Sequence, residues 1–556
     1  MPKKRLPSPE HADTLSLNAL RTLVTGLVSE VRELSAEVTR LRAENAELRE
    51  ENAALRQENT RLKVENQLLR DEIARLKNLP PRPPFRPSGM EKATGFKQDD
   101  PPASKKKPRG PKLDIKRVSR EEVLRMTPPP GSRFKGYKSC HVRDLVIAAE
   151  VVHYRRECWL TPDGKMLLAP LPAGIIGSYG ANLRRFCLML HAQGQVTMER
   201  LTTLLHDVGV DVSKRQVVRL ITQGLDSFVA EDAAVLHAGL LSAPYITVDD
   251  TGARHARANF HTTQIGGAQF TNFRTTPSKS RLNFLSLLRG NYQDYVLNGA
   301  AFDYLDRRRV DPALVAKLRS SHEPRRFCNQ VPFLEYLASK GIDIFDRQAI
   351  RVLAEAGIWG SIRHHGLIGD TVIVSDDAGQ FRVGNHALCW VHAERLLQKL
   401  MPTTPRQVRV VETVRDLVWQ FYRALKSVKR KPPPGLVAAF HKRFARIFSL
   451  NTGYEELDKL LARLYRRKDE LLKVLERPGT PLHTNASEND LRSFVTKRKV
   501  SGGTMSREGR VARDTMLGLM KTCRKLGLSF WHYLGDRLQL DGQHIPSLAA
   551  LVAAKA

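Results

Sequence analysis

The chain has 556 residues, 41% of them hydrophobic, which is enough for two or three domains with a sizeable core and excludes a disordered tail. Lys and Arg number 90 against 58 Asp and Glu, and the net charge of +32 points to a polyanionic partner; no basic amphipathic anchor is evident, so nucleic acid is favoured over a membrane surface. Six scattered cysteines are too sparse for a disulfide scaffold, and neither a signal-peptide core nor an apolar run of about 18 residues occurs, so a soluble protein of a reducing, cytoplasmic compartment is expected.

Residues 1–23 carry no periodic pattern and are expected to be disordered. From 24 to 77 the heptad is clean: Leu27, Leu34, Leu41, Leu48, Leu55, Leu62, Leu69 and Leu76 fall seven apart at d, with Val24, Val31, Val38 and Ile73 at a. Asn45, Asn52, Asn59 and Asn66 fill the intervening a positions, which sacrifices stability for register and favours two strands. Glu at g faces Arg or Lys at the following e, as Glu37 does Arg42 and Glu44 does Arg49, the pattern of a parallel homodimeric zipper. Residues 78–134, with "NLPPRPPFRPSG" and "DDPPASKKKPRGPKLDIKR", read as an extended, basic linker able to touch phosphates without reading sequence.

Residues 135–240 resume globular patterning. Cys140, His141, His153 and Cys158 lack a C-x2-C pair, so zinc is not expected there. In "VTMERLTTLLHDVGVDVSKRQVVRLI" two helical periods flank Gly209, and Ser213 is placed to cap the second. This reads as a helix-turn-helix presenting Lys214, Arg215, Gln216 and Arg219 to DNA, or as a plain helical hairpin.

From residue 241 short strands take over. "YITVDD", "ANFHTTQIGG" and "FTNFRTT" read as a meander, a helix and a mixed segment follow, and "TVIVSDD" is a further strand before the helical "HALCWVHAERLLQKL". Helices fill 401–482, where Trp419, Phe421 and Tyr422 read most simply as core, and 483–556 closes the chain. This order gives an α/β fold with a mixed central sheet and helical insertions. Aspartate is depleted in strands, yet two strands each end in a pair, Asp249–Asp250 and Asp376–Asp377. Carboxylates from separate strands can converge at one sheet edge if divalent cations sit between them, and a third acid is then expected downstream. Glu488 fits, on a helix that Asn485 can cap and that carries Arg492, Val495 and Lys499 on the same face.

These residues resemble the DDE transposases of the bacterial insertion sequence sixty-six group over almost the full length. "VDDT" resembles the first catalytic strand motif and places it on Asp249; "SDDAGQF" with "ALCWVHAER" resembles the second and places it on Asp376, with Cys389, His392 and Arg395 in the same signature. "NASENDLR", "KRKVSGG" and "MLGLMKTCRKLGLSFWHYL" resemble the C-terminal block and place the glutamate on Glu488, with Arg492, Lys497, Arg498 and Lys499 as phosphate contacts. Three departures stand out: the zinc segment lacks its C-x2-C pairs, Asp250 replaces a Glu, and Asn489 replaces an Arg. The doubled aspartates leave Asp250 and Asp377 as alternative ligands, since a shift of one residue turns a side chain to the other face.

The resemblance implies an RNase H-like core holding two Mg2+ ions, with Mn2+ as a substitute, through Asp249, Asp376 and Glu488. It further implies binding of element ends and target DNA near the nucleoid, hydrolysis and strand transfer, a homodimer or higher multimer, and accessory proteins of the same element. Two rivals remain: a non-catalytic dimeric DNA-binding regulator derived from a transposase, and a nuclease of the same fold acting on RNA or DNA hybrids without joining. Only the transposase requires all three acids together with strand joining.

Overall fold

The computed structural model describes residues 120–555, apart from 139–140, 143, 173, 320–324, 429–430, 541 and 543, together with scattered positions between 18 and 47. The chain divides into two units, Met1–Arg86 with Leu400–Thr413, and Pro87–Lys399 with Val414–Ala556. In the first, residues 24–33 and 35–40 are helical, with Val24, Val31 and Val38 exposed. Leu34, the zipper leucines from Leu41 to Leu76, and the linker up to residue 119 lie outside the described residues.

The second unit is organised around Ile246, Val248, Ile373 and Val374, all completely buried. They belong to β3 (Tyr245–His255) and β8 (Val372–Ser375), the two inner parallel strands of a five-stranded sheet. β4 (Ala258–Gly266) and β5 (Thr271–Thr276) continue it antiparallel on one side and β9 (Asn385–Leu388) adds a parallel edge on the other, in the order β5-β4-β3-β8-β9. A meander followed by two parallel strands is a mixed sheet that fits an RNase H-like core. The first half of β3 is buried on both faces, as a central strand is; from Asp249 onward it is half-covered. His386 to Leu388 belong to strand β9, and the helix begins only at Trp390, because pairing with β8 overrides the helical periodicity of "HALCWVHAERLLQKL".

Helices cover both faces. Asp226–Ser242 and Arg507–Leu526 pack on the meander side, and Asn485–Ser501 lies across β3 and β4. A buried cluster ties the last two to the sheet: Asp490 accepts from Thr271 Oγ1 at 2.7 Å and Lys525 Nζ at 2.8 Å. Upstream stand a small exposed hairpin, β1 (Cys158–Leu160) with β2 (Met166–Leu168), and three helices, Ala181–Ala192, Met198–Asp207 and Lys214–Thr222. Gly209 takes φ of +86° between the second and third, and Ser213 caps the third through the Gln216 N–H. Buried Arg184 closes that helix's other end on the carbonyls of Leu220, Gln223 and Gly224.

Between β5 and β8 an insertion contains helices Arg281–Arg289, Gly299–Arg307, Pro312–Arg319, Gln330–Ser339 and Arg347–His364, with the two-stranded β6 (Tyr295–Leu297) and β7 (Arg325–Phe327). Its axis is Arg347–His364, buried continuously from Leu353 to Ile362. Gly360 lets that helix touch the β6 backbone: a Cβ there would stand 1.9 Å from the Val296 carbonyl oxygen. No helix among the described residues is long and apolar enough to cross a membrane.

Because the obstacle at Gly360 is backbone, it cannot swing aside. Gly360→Ala is expected to lower stability by about 1–3 kcal/mol, read as an earlier urea midpoint with an unchanged transition slope. An unchanged midpoint would refute this packing.

Candidate active site

β3 and β8 run parallel and adjacent, with Thr247 opposite Val374; beyond that point β8 ends after Ser375, whereas β3 does not end at its aspartates as expected but continues to His255, with Asp249 opposite Gln264 and Asp250 opposite Thr263 on β4. Asp249 stands two residues beyond Thr247, and Asp376 immediately follows β8. Asp249 is largely shielded from water, and burial pushes its carboxyl up to about 7. The negative charges of Asp376 and Asp250 push the same way, against the Asp250 N–H, which donates to Asp249 Oδ1 at 2.7 Å, and the cationic influence of His392. Asp376 accepts from the Ala378 N–H at 3.1 Å through one oxygen.

The second member of each pair is occupied elsewhere. Asp250 accepts from Gln380 Nε2 at 2.7 Å, which ties β3 to the loop after β8. Asp377 takes Arg467 at 2.8 Å and is also paired with Arg463, so its carboxylate is held by two guanidiniums.

Glu488 lies in the first turn of Asn485–Ser501, where the helix dipole favours a carboxylate. The helix starts one residue earlier than expected: Thr484 is the cap position and Asn485 the first helical residue. That start is held by the β9 side, since the Trp390 N–H donates to the Leu482 carbonyl at 2.9 Å and the Thr484 N–H to Cys389 Sγ at 3.4 Å. One helix turn on, Arg395 reaches Glu488 Oε1 at 3.2 Å and Oε2 at 3.4 Å, and His392 Nε2 lies 3.7 Å from Oε1. Burial pushes the His392 imidazole down, but the neighbouring Cys389 sulfur and the Glu488 carboxylate outweigh it and leave the ring easier to protonate than an ordinary histidine. Cys389 shows the reverse balance: burial opposes its thiolate, and the His392 ring prevails and lowers it. Cys389 is therefore a buried support beneath the helix start, and His392 is the common neighbour of Asp249 and Glu488.

Asp249 and Asp376 interact directly through their charges, whereas Glu488 reaches them through His392 and is bound to Arg395. Among the described residues no three acid, His or Cys side chains already form a metal-ligand cluster. The donor chemistry nevertheless fits a hard divalent cation. Two oxygen-only carboxylates interact through their charges, and one of them is raised to about 7, chiefly by burial and further by the other. Glu488 would exchange the Arg395 guanidinium for the ion.

The expected phosphate-facing residues separate into groups. Arg492 and Lys499 are exposed on the Glu488 helix, and Arg498 leans over β3, 3.5 Å from Thr251 Oγ1. Lys497 departs from the expectation: it is 3% exposed, and its ammonium donates to the carbonyls of His191 at 2.7 Å and Val196 at 3.1 Å. Burial, with Arg513 nearby, lowers it to about 7, so it joins two helices and does not face DNA. Lys214 and Arg215 are exposed and Gln216 and Arg219 half-buried on their separate helix, with Lys214 bound to Glu199 at 2.5 Å. Phe421 and Tyr422 are core, while Trp419 is half-buried beneath the Arg423 guanidinium. Cys140 lies outside the described residues; His141, His153 and Cys158 are exposed. The pairing role of Arg395 was not legible in sequence, although its spacing from His392, one helix turn, was an available signal.

Two comparisons bear on this geometry. The family described as "Transposase IS66 family" matches residues 372–512, a span that contains β8, Asp376, the Cys389–Arg395 segment and Glu488. "Uncharacterized protein y4jO" of Sinorhizobium fredii is 88% identical over 322 residues, which is 58% of this chain and the whole of that relative.

The raised Asp249 carboxyl makes a signed prediction for the metal-free protein. An acid whose folded pKa lies near 7 rather than 3.8 costs nothing below the unfolded value and a full penalty above the folded one. Asp249→Asn is therefore expected to raise the melting temperature in EDTA by an amount that grows from pH 4 to about 7 and then levels off, corresponding to a few kcal/mol. A gain independent of pH would contradict the burial of this carboxylate.

Proposed function

Because the chain belongs to the transposase IS66 family, we propose that it is a DDE-type transposase that binds the ends of its element, hydrolyses the phosphodiester there and joins the freed end to target DNA. The observation that supports this reading is the charge interaction of Asp249, within β3, with Asp376, just past the end of the adjacent parallel strand β8, with Glu488 beside their common neighbour His392 on a helix that lies across β3 and β4. A regulator that only binds DNA has no use for a half-buried pair of like charges, which costs stability.

In this reading Asp249, Asp376 and Glu488 hold the metal ions. Mg2+, when bound, supplies a more acidic water or 3'-hydroxyl and stabilises the leaving 3'-oxygen. The remaining work belongs to the chain. Gln380 fixes the loop after β8 against Asp250, so that Asp376 keeps its place beside Asp249. Arg463 and Arg467 hold Asp377 aside, which makes Asp376 the ligand of its pair. His392 and Arg395 hold the Glu488 carboxylate near Asp249 and keep positive charge where a phosphate arrives. Arg492, Arg498 and Lys499 extend that charge along the scissile strand, while Lys214, Arg215, Gln216 and Arg219 engage the end duplex. The heptads of residues 24–77 bring two copies together, as two DNA ends require. Mn2+ serves in place of Mg2+, and accessory proteins of the same element assist assembly.

The test is cleavage and joining of labelled duplexes bearing the element's ends, in Mg2+ and in EDTA. Glu488→Gln is expected to lose both activities by roughly a thousandfold or more while duplex binding persists. Asp377→Asn should keep most of the chemistry and lose stability, because it abandons two guanidiniums. Binding without chemistry in the wild type, at any metal concentration, would overturn the catalytic reading.

A further inference from the structure

Away from the acids, the insertion and the far end of the loop after β8 enclose a cavity of about 480 Å³. Its rim carries Arg281, Arg307, Arg308, Arg363 and Arg382, contributed by three helices, the residue after one of them and the loop. Much of this charge has a structural use. Arg382 reaches Glu470 at 3.3 Å, Arg363 closes the carbonyls of Ile368 and Gly369, and Arg281 holds the Gly379 carbonyl.

The cavity's acids are also largely taken. Glu470 is bound by Arg382 and Arg467 and faces His386, and Asp370 pairs with Arg477 at 3.2 Å. That leaves Arg307 and Arg308, both exposed at the end of Gly299–Arg307, in no ion pair among the described residues. Asp303 stands one turn before Arg307 and also lines the cavity. The walls between these charges include apolar surface from Trp359, Ile368, Val383 and Ala300. Gly384 takes φ of +58°, and a Cβ there would stand 2.8 Å from the Trp359 ring, so the glycine lets the loop lie against the benzo end of the indole.

Guanidiniums at a rim with an aromatic and aliphatic wall match a phosphate joined to a flat heterocycle. The volume suits one such unit and not a duplex. We propose that this cavity binds a single nucleotide, its phosphate on Arg307 and Arg308 and its sugar and base along the Trp359–Ile368–Val383 wall. The nucleotide comes either from an unpaired DNA strand or from solution; only the choice between these sources rests on the transposase reading. The site is joined to the catalytic edge by the loop itself. Arg281 grips Gly379, and the next residue, Gln380, holds Asp250 on β3.

The experiment is calorimetry on the full chain carrying Asp249→Asn, in EDTA so that no chemistry intervenes. The probes are dAMP, a 5'-phosphorylated single-stranded trinucleotide and inorganic phosphate, each repeated with Arg307→Ala and Arg308→Ala added. The expected result is that a nucleotide probe binds at least about tenfold tighter than phosphate and weakens by at least about tenfold in the added double variant. A trinucleotide that binds at least as tightly as dAMP assigns the strand as source; dAMP alone assigns the soluble nucleotide. Absent binding of both, binding unmoved by the double variant, or phosphate binding as tightly as dAMP would each overturn the proposal. Both arginines are exposed, so their loss leaves the core intact. A chain that fails to bind duplex ends yet binds dAMP through these arginines would defeat the transposase reading and leave the cavity's assignment standing.

Discussion

The organisation of the candidate active site follows from two carboxylates that its sheet brings together. Asp249 lies within β3 and Asp376 just past the end of the neighbouring parallel strand β8, and the strand core of Ile246, Val248, Ile373 and Val374 is too deeply buried to let either shift register. Burial and mutual repulsion raise Asp249 far above an ordinary aspartate. The surrounding groups answer that charge without removing it: Gln380 ties down Asp250, Arg463 and Arg467 take Asp377, and His392 lends partial compensation. What is left is a pair of oxygen donors in no salt bridge among the described residues.

Glu488 completes the set through a different device. Its helix is fixed from below by Asp490, which sits among Thr271, Lys521 and Lys525, and at its start by the Trp390 and Cys389 contacts to residues 482 and 484. Arg395 and His392 therefore project from a helix that is itself anchored to β9, and they meet Glu488 with little freedom to lose. The third acid is thus held by the strand next to the one that delivers the second, and the sheet positions all three.

Much of this was legible from local pattern. The strands that carry the doubled aspartates, the Ser213 cap and a helix bearing Glu488 follow from periodicity and capping chemistry, which act over a few residues, although β3 runs on past its pair to His255 and Asn485 opens the Glu488 helix without capping it. What escaped depends on distant partners. Lys497 reads as one of a basic run, yet it lies on the helix face that packs against Ala181–Ala192, and only the packing shows it. His386 and its neighbours read as helix because the β8 pairing that makes them a strand is invisible in their own periodicity. Which aspartate of each pair is held elsewhere was open in sequence, since both are identical in type; the guanidiniums that occupy Asp377 come from Arg463, in the last turn of Glu455–Tyr465, and from Arg467, two residues past that helix, far along the chain. The arginine-lined cavity, assembled from residues between Arg281 and Glu470, had no local signature at all.

The claim on which the account turns is that Asp249 and Asp376 form a cation site whose second aspartates stand aside. Its most direct test is titration of the full-length protein with Mn2+, followed by the electron paramagnetic resonance signal of free ion, in wild type, Asp376→Asn and Asp377→Asn. The account predicts saturable binding that Asp376→Asn weakens by at least about tenfold and Asp377→Asn leaves nearly unchanged. Equal binding by all three proteins, or stronger dependence on Asp377 than on Asp376, would contradict it.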